Sequence, residues 1–250
     1  MAVQKTQGFV LRRQDVRETS LHLSMYTRDF GKLMLITKGV RAPEQRFAGA
    51  YELFALDAIV FYERKKKNFF LLSQCELVDF FPHIRESLEK ISYATYFSEL
   101  LDSVTQVGDS NPALYRLFLD ALRLLSGNAS TKRVARIFEI KLLSAIGLMP
   151  GLKICTGCGK KPEKERVGFS LASGGILCEA CFSGTGSARL VMPGTLNFIM
   201  HIKDLPFEKI KHVKVTKLVG SEVERLLKSF INYHLDIKLR SREFIEKIGV

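Results

Sequence analysis

Four of the five cysteines in the chain lie in one stretch, CTGCGKKPEKERVGFSLASGGILCEAC, as Cys155, Cys158, Cys178 and Cys181. They form two C-x-x-C pairs separated by nineteen residues, a spacing that reads as a zinc site. The short spacer lets two thiolates leave one tight turn towards the same ion, and Gly157 and Gly159 supply backbone freedom at the first pair. Zinc takes four such ligands tetrahedrally, at about 2.3 Å from each sulfur. Four thiolates close the shell and leave no position for water, so a zinc held here, one per chain, is structural and generates no nucleophile. Redox use and disulfide pairing are the competing readings. A thioredoxin-like site calls for a single C-x-x-C beside a βαβ pattern, whereas this chain has two pairs and no such pattern. Cys75 stands apart in a strand-like run and reads as a small buried hydrophobe.

No second chemical constellation emerges. A zinc deaminase needs H-x-E ahead of P-C-x-x-C. None of His22, His83, His201, His212 and His234 has a glutamate two residues on, and neither H-E-x-x-H nor a phosphate-binding G-x-x-x-x-G-K-[ST] occurs. Gly184-Thr185-Gly186 is a lone G-x-G that reads as a loop. Glu139, on an apolar helical stripe, reads as the partner of a nearby Arg or Lys rather than a catalytic acid. These observations point away from an enzyme.

The elements that position the cysteines and the charges follow from periodicity. In Leu21-His22-Leu23-Ser24-Met25-Tyr26 apolar and polar residues alternate, which places Leu21, Leu23 and Met25 on one face of a strand. A turn at Arg28-Asp29-Phe30-Gly31 leads to a second strand over 32–38, and longer strand-like runs cover 53–63 and 68–81. Five strands in about 80 residues suit a small closed barrel, and the OB-fold is the common nucleic-acid-binding version. After Pro82 the pattern changes to helices. Leu88, Ile91, Ala94, Phe97, Leu101 and Val104 recur at steps of three and four. Asn111-Pro112 opens a second helix with Leu114, Leu117, Phe118, Ala121 and Leu125 on its inner face. A third begins near Ser130, carries Val134, Phe138, Leu142 and Ala145, and stops at Gly147 and Pro150. Gly168, Gly174 and Gly175 suggest a hairpin between the cysteine pairs. A short helix near 195–203 and a longer one after Ser221 follow, the latter with Ser221 and Glu224 at capping-box spacing. The expected fold class is therefore α+β and multidomain: an OB-fold barrel over 1–82, a helical domain over 83–152 and 190–250, and a zinc module inserted at 153–189.

Net charge is +12, with 38 Lys and Arg against 26 Asp and Glu, the electrostatic footprint expected of a nucleic-acid binder. Arg12, Arg13, Lys38, Arg41, Arg46, Lys65, Lys66 and Lys67 cluster at expected strand ends and loops of the barrel. There they would neutralise phosphates and release counterions. Tyr26, Phe30 and Phe47 are candidate platforms for unpaired bases. The basic run at Lys65, Lys66 and Lys67 also reads as a solvated hairpin tip. The amino-terminal MAVQKTQGFVLRRQD lacks the apolar core of a secretory signal, and no run of about 18 apolar residues suggests a membrane span, so a cytoplasmic location is expected.

Five stretches taken together resemble the RecO family of bacterial recombination mediators. GFVLRRQDVRETS and TRDFGKLMLITKGVR are similar to its opening barrel strands. RIFEIKLLSAIGLMPGLKICTGCG and VGFSLASGGILCEAC are similar to its third helix and zinc module. SFINYHLDIKLRSREF is similar to its closing helix and S-R-x-F. The resemblance implies an OB-fold, a helical domain and a four-cysteine zinc site, with Cys155, Cys158, Cys178 and Cys181 as ligands. It also implies no bond-making chemistry. The family binds single- and double-stranded DNA and anneals complementary strands. It works with RecR, and it lets RecA displace single-strand-binding protein, whose acidic, apolar C-terminal tail some members take into a groove of the helical domain. Lys38, Gly39 and Arg41 fall in the matching K-G-x-R stretch. Some members lack the cysteines, which separates the zinc from DNA processing. Two other readings stay open: an OB-fold RNA-binding module, and a nuclease or transferase assembled from distant segments.

Overall fold

The protein is seen in a computed structural model that describes residues 2–16, 20–37, 50–63, 69–162, 166–183, 188–210 and 213–249. It packs as two compact units, Met1–Thr131 with Leu239–Val250, and Lys132–Lys238.

In the first unit, β1 (Val3–Val16), β2 (Ser20–Thr27), β3 (Gly31–Thr37), β4 (Leu56–Tyr62) and β5 (Phe70–Asp79) close into a barrel of order β1-β2-β3-β5-β4. All pairs are antiparallel except the short β3–β5 closure, where Leu35 and Ile36 face Phe70 and Leu71. This is the OB-fold arrangement, as the strand pattern predicts. The alternation in β2 and β3 puts Leu21, Leu23, Met25, Leu33 and Leu35 into the barrel core, beside Ile59, Phe61 and Cys75. β1 is long enough to pair with both neighbours, Val3 to Phe9 against β4 and Gly8 to Val16 against β2. A bulge between Val10 and Arg12 bends it, so consecutive residues Val10 and Leu11 are both buried.

Helices cover the opposite face of β1 and β2. Phe9 packs against Tyr115 and Phe118 of α3 (Pro112–Ser126), with ring centroids 5.1 and 5.0 Å away. Ser24 donates to Asp102 at 2.7 Å, and Lys32 reaches the Asp102 carboxylate at 3.2 Å, which fixes the end of α2 (Leu88–Val104) to the barrel. Gly31 sits at φ +63 where its chain meets the connection between α2 and α3. A Cβ there would lie 2.0 Å from the carbonyl oxygen of Asp109, so only glycine fits. α3 opens at Asn111-Pro112 as the sequence predicts, and the Asn111 side chain accepts from Ala113 N and Leu114 N. Leu88, assigned to the apolar stripe of α2, is instead 60% exposed because it occupies the first helical position, outside the packed length. The final helix, α9 (Arg240–Ile248), packs on α2, where Glu99 accepts from Arg240 N at 3.0 Å and Ser241 N at 2.9 Å.

The second unit contains α4 (Thr131–Ala145), β6 (Val167–Ser170), β7 (Gly175–Cys178), a single turn α5 (Glu179–Phe182) and β8 (Arg189–Val191). It continues with α6 (Pro193–Asp204), a single turn α7 (Phe207–Ile210) and α8 (Lys217–Leu235). The three strands form a sheet of order β7-β6-β8, and β6–β7 is the hairpin expected between the cysteine pairs. Glu139 is fully buried and accepts from Arg136 Nη2 at 2.9 Å, the structural pairing anticipated for it. Lys141 donates to the carbonyls of Lys203 (2.9 Å) and Leu205 (2.5 Å), satisfying the C-terminal end of α6. The capping box expected at Ser221 and Glu224 does not form. α8 starts five residues earlier, with Thr216 as its cap receiving Val219 N at 3.3 Å. Ser221 is thus inside the helix, and Glu224 lies 3.6 Å from Arg136. Gly220 lies in the first turn of the helix, where a glycine costs about 1 kcal/mol relative to alanine.

Candidate metal centre and nucleic-acid interface

The four cysteines converge. Their sulfurs all lie within 4.8 Å of one another, and Cys158 and Cys178 are 3.8 Å apart. A disulfide would need about 2.05 Å. A tetrahedral ion with bonds of about 2.3 Å to sulfur would space its ligands by about 3.8 Å.

Two backbone devices bring them together. The first pair sits on a turn in which Cys155 N donates to Lys160 O at 2.9 Å and Gly159 N donates back to Cys155 O at 2.8 Å. The second pair spans the start of α5, with Cys178 just before the turn and Cys181 within it. The turn and hairpin are stitched by Thr156 N to Ile176 O (2.8 Å) and Ile176 N to Gly151 O (2.8 Å). Gly175 permits this approach: a Cβ on it would stand 2.4 Å from Gly151 O.

The electrostatics fit a cation. Burial alone would raise the Cys155 thiol, but the N–H groups of Cys178, Cys158 and Gly157 outweigh it and bring the group down to about 6. One of these is the Cys178 N–H, 3.3 Å from Cys155 Sγ. Cys181 is pushed up to about 12 by its sulfur neighbours Cys178, Cys155 and Cys158. Four thiolates this close repel one another unless a positive ion neutralises them, and a soft sulfur set suits such an ion. The cluster can therefore hold a metal.

The predicted DNA contacts divide into two groups. Arg12 and Arg13 lie on β1 past its bulge, both exposed. Arg13 Nη1 is already engaged, 2.5 Å from Glu52 and with Asp15 near its Nε at 3.9 Å. Arg12 has no acidic partner among the described residues. Lys38, Arg41, Arg46, Lys65, Lys66 and Lys67, together with Gly39, Phe47 and the Gly184-Thr185-Gly186 loop, lie outside the described residues.

Tyr26 is not a base platform. It is 0% exposed, and its hydroxyl accepts from Asn111 N at 3.2 Å and donates to Asn111 O at 3.3 Å. Alternation alone placed its ring outward, but α2 and α3 cover that face of the barrel. Phe30 is half-buried, edge-on to Phe61 at 5.3 Å. Cys75 is buried as expected, and desolvation raises its thiol well above the usual range. The sequence reading overlooked Asp57, a fully buried acid in β4 close to Cys75; one carboxylate in an otherwise apolar strand is its only trace in the sequence. The exposed cations of the second unit were also overlooked. Their signal is an excess of 18 Lys and Arg over 9 Asp and Glu across residues 132–238.

An OB barrel followed by helices, with a tetracysteine cluster set among them, defines the class of protein. Comparison with known proteins narrows it. The family profile described as Recombination protein O N terminal matches residues 1–81, and that described as Recombination protein O C terminal matches residues 85–243. DNA repair protein RecO of Pelotomaculum thermopropionicum is 32% identical over 249 residues, covering 100% of this chain and 96% of its own. The proteins of the same name from Moorella thermoacetica and Symbiobacterium thermophilum are each 32% identical, covering 98% and 99% of this chain and 91% and 98% of their own. The chain belongs to the RecO family of DNA repair proteins.

Proposed function

We propose that the protein is a DNA-binding recombination mediator. It binds single- and double-stranded DNA, anneals complementary strands, and acts with RecR to help RecA load onto DNA coated by single-strand-binding protein, whose C-terminal tail it engages. The observation that carries this reading is the closed OB barrel in a chain matching the family along nearly its whole length. Annealing suits such a surface: two phosphate chains repel each other, and cations that hold both remove the barrier without any covalent step. No catalytic group is required, so the protein is read as a binder.

Residues 1–82 serve as the DNA-binding domain in this reading. Lys38 and Arg41 are the foremost contacts, with Arg12, Arg13, Arg46, Lys65, Lys66 and Lys67 supporting them. Residues 153–189 form the metal module within a helical domain drawn from 83–152 and 190–250. Zinc is the ion, one per chain, held by Cys155, Cys158, Cys178 and Cys181. With all four positions taken by sulfur, it braces the fold. No helix among the described residues is long and apolar enough to cross a membrane, and work at the cytoplasmic nucleoid fits that.

The test is annealing of complementary oligonucleotides coated with single-strand-binding protein, without ATP or added magnesium, comparing the native chain with Lys38→Glu/Arg41→Glu. The native chain should anneal them, and the double reversal should slow the rate by about 10-fold or more through lost phosphate contacts. Failure of the native chain to bind DNA in dilute buffer would overturn the reading, as would a strong preference for RNA or any cleavage of the strands.

A further inference from the structure

The first unit has 20 Lys and Arg against 17 Asp and Glu, while the second has 18 against 9. Three quarters of the net charge of +12 thus lies outside the unit that contains the barrel. In the second unit these cations are not scattered evenly. Three surface concavities of about 610, 610 and 620 Å³ adjoin one another. The first, beside the cysteine cluster, shares Lys161 and Pro162 with the second. The second shares Asn197 of α6 with the third, which ends at the chain entering α8. Neighbouring concavities share a wall residue, so the three form an adjoining row, here called the trough.

Six cations line it: Lys153, Lys160, Lys161, Arg166, Lys209 and Lys214, all exposed. One carboxylate is present among the described lining residues, Glu179, and it lies 3.5 Å from Arg166. The five lysines have no ion-pair partner among the described residues. Between the cations the walls are apolar, with Ile154 53% exposed and Phe198 and Met200 half-buried. Cations spaced along a furrow match a chain of phosphates, and apolar surface between them matches unpaired bases.

We infer that this trough is a second single-strand DNA site, separate in sequence from the barrel contacts proposed above and able to hold the complementary strand during annealing. The inference rests on the DNA-binding reading and adds to it a place for the other strand. An acidic polypeptide is the rival occupant. It would be held by charge and would have no use for the apolar walls at Ile154, Phe198 and Met200.

The experiment counts the strands of a short oligothymidylate bound per full-length chain in dilute buffer. It compares the native protein with Lys153→Glu/Lys161→Glu/Lys214→Glu, and with the same three positions changed to glutamine in case reversal disturbs the fold. Metal content and circular dichroism check each variant. The native chain should bind two strands and the reversal variant one, with annealing slowed by about 10-fold or more. In the glutamine variant the log–log salt slope of binding should fall by about 2, the counterions of three lost single-strand phosphate contacts. Saturation of the native chain at one strand overturns the trough while leaving the barrel reading intact. So does a reversal variant that still binds two strands, or one that loses only polyglutamate binding. If the native chain binds no strand, both readings fall.

Discussion

The two compact units differ in what holds them and in what they present. In Met1–Thr131 with Leu239–Val250, cations and acids nearly balance, and several are paired within the unit: Arg13 with Glu52, Lys32 with Asp102, Arg242 with Glu246. A continuous apolar barrel core organises that region. In Lys132–Lys238 cations outnumber acids two to one, and the cysteine segment has only two short hairpin strands and one turn of helix around the sulfurs. The fold associated with nucleic acids and the larger excess of positive charge therefore reside in different parts of the chain. A functional assignment made from fold alone points to the barrel and passes over the more highly charged surface.

The largest expected effect separates the two units by what holds them. Removing the proposed zinc with a chelator, or making Cys155→Ser, should unfold the cysteine segment, since structural zinc contributes roughly 10–16 kcal/mol to small thiolate sites near pH 7. Amide exchange should quicken at Thr156 and Ile176, whose backbone bonds join the turn to the hairpin. It should stay slow at Leu23 and Leu35, which sit in the barrel core. Equal loss of protection in both places would show that the units do not stand independently, and the contrast drawn above would fail. Acid should mimic the chelator, because protons compete with the ion for the thiolates.

The regions also differ in how far sequence alone reveals them. The barrel strands are legible because Leu21, Leu23 and Met25 alternate and the core they enter is local to the barrel. The cysteine cluster is legible because its four ligands come as two tight pairs, each a local turn. The burial of Tyr26 is not, because it depends on Asn111, 85 residues away, and on helices that cover a face which alternation marks as polar. The start of α8 is hidden by Gly220 and by a Ser221–Glu224 spacing that imitates a cap. The trough escapes for a different reason. Its lysines run from 153 to 214 with no motif, and they meet only after the sheet and α6 have folded.

A second prediction concerns an acid in the near-neutral unit. Asp57 is fully buried; one oxygen accepts from Tyr51 N at 3.1 Å, and the other has no hydrogen-bond partner within bonding distance among the described residues. Burial pushes its carboxyl up to about 6, only partly offset by the Tyr51 N–H and the Cys75 thiol. Below the unfolded value of 3.8, both states hold the proton and the acid costs nothing. Between there and about 6 the folded state holds the proton while the unfolded chain releases it, so stability falls as pH rises through that window. The loss then stays constant, at roughly 2–3 kcal/mol. Asp57→Asn keeps an acceptor for Tyr51 N and removes the charge. It should therefore be more stable than the native chain at pH 7.5, with little difference at low pH, in urea unfolding followed by exchange at barrel amides. A variant less stable at both pH values would mean that the ionised carboxylate supports the barrel.

The smallest effect tests which face of the barrel is closed. Tyr26→Phe keeps the ring and removes only the hydroxyl that joins Asn111 N and Asn111 O. Two neutral backbone bonds are lost, but Asn111 is only partly buried and water can replace some of what goes, so about 1 kcal/mol of stability should disappear. DNA affinity should not change. A tyrosine stacked on a base from solvent would give the reverse outcome, because its hydroxyl would have no folded-state partner and its removal would leave stability untouched. A measured loss of stability with unchanged binding therefore places the side chain under α3. It also leaves the DNA contacts proposed for the barrel to Arg12 and the loop cations rather than to this aromatic face.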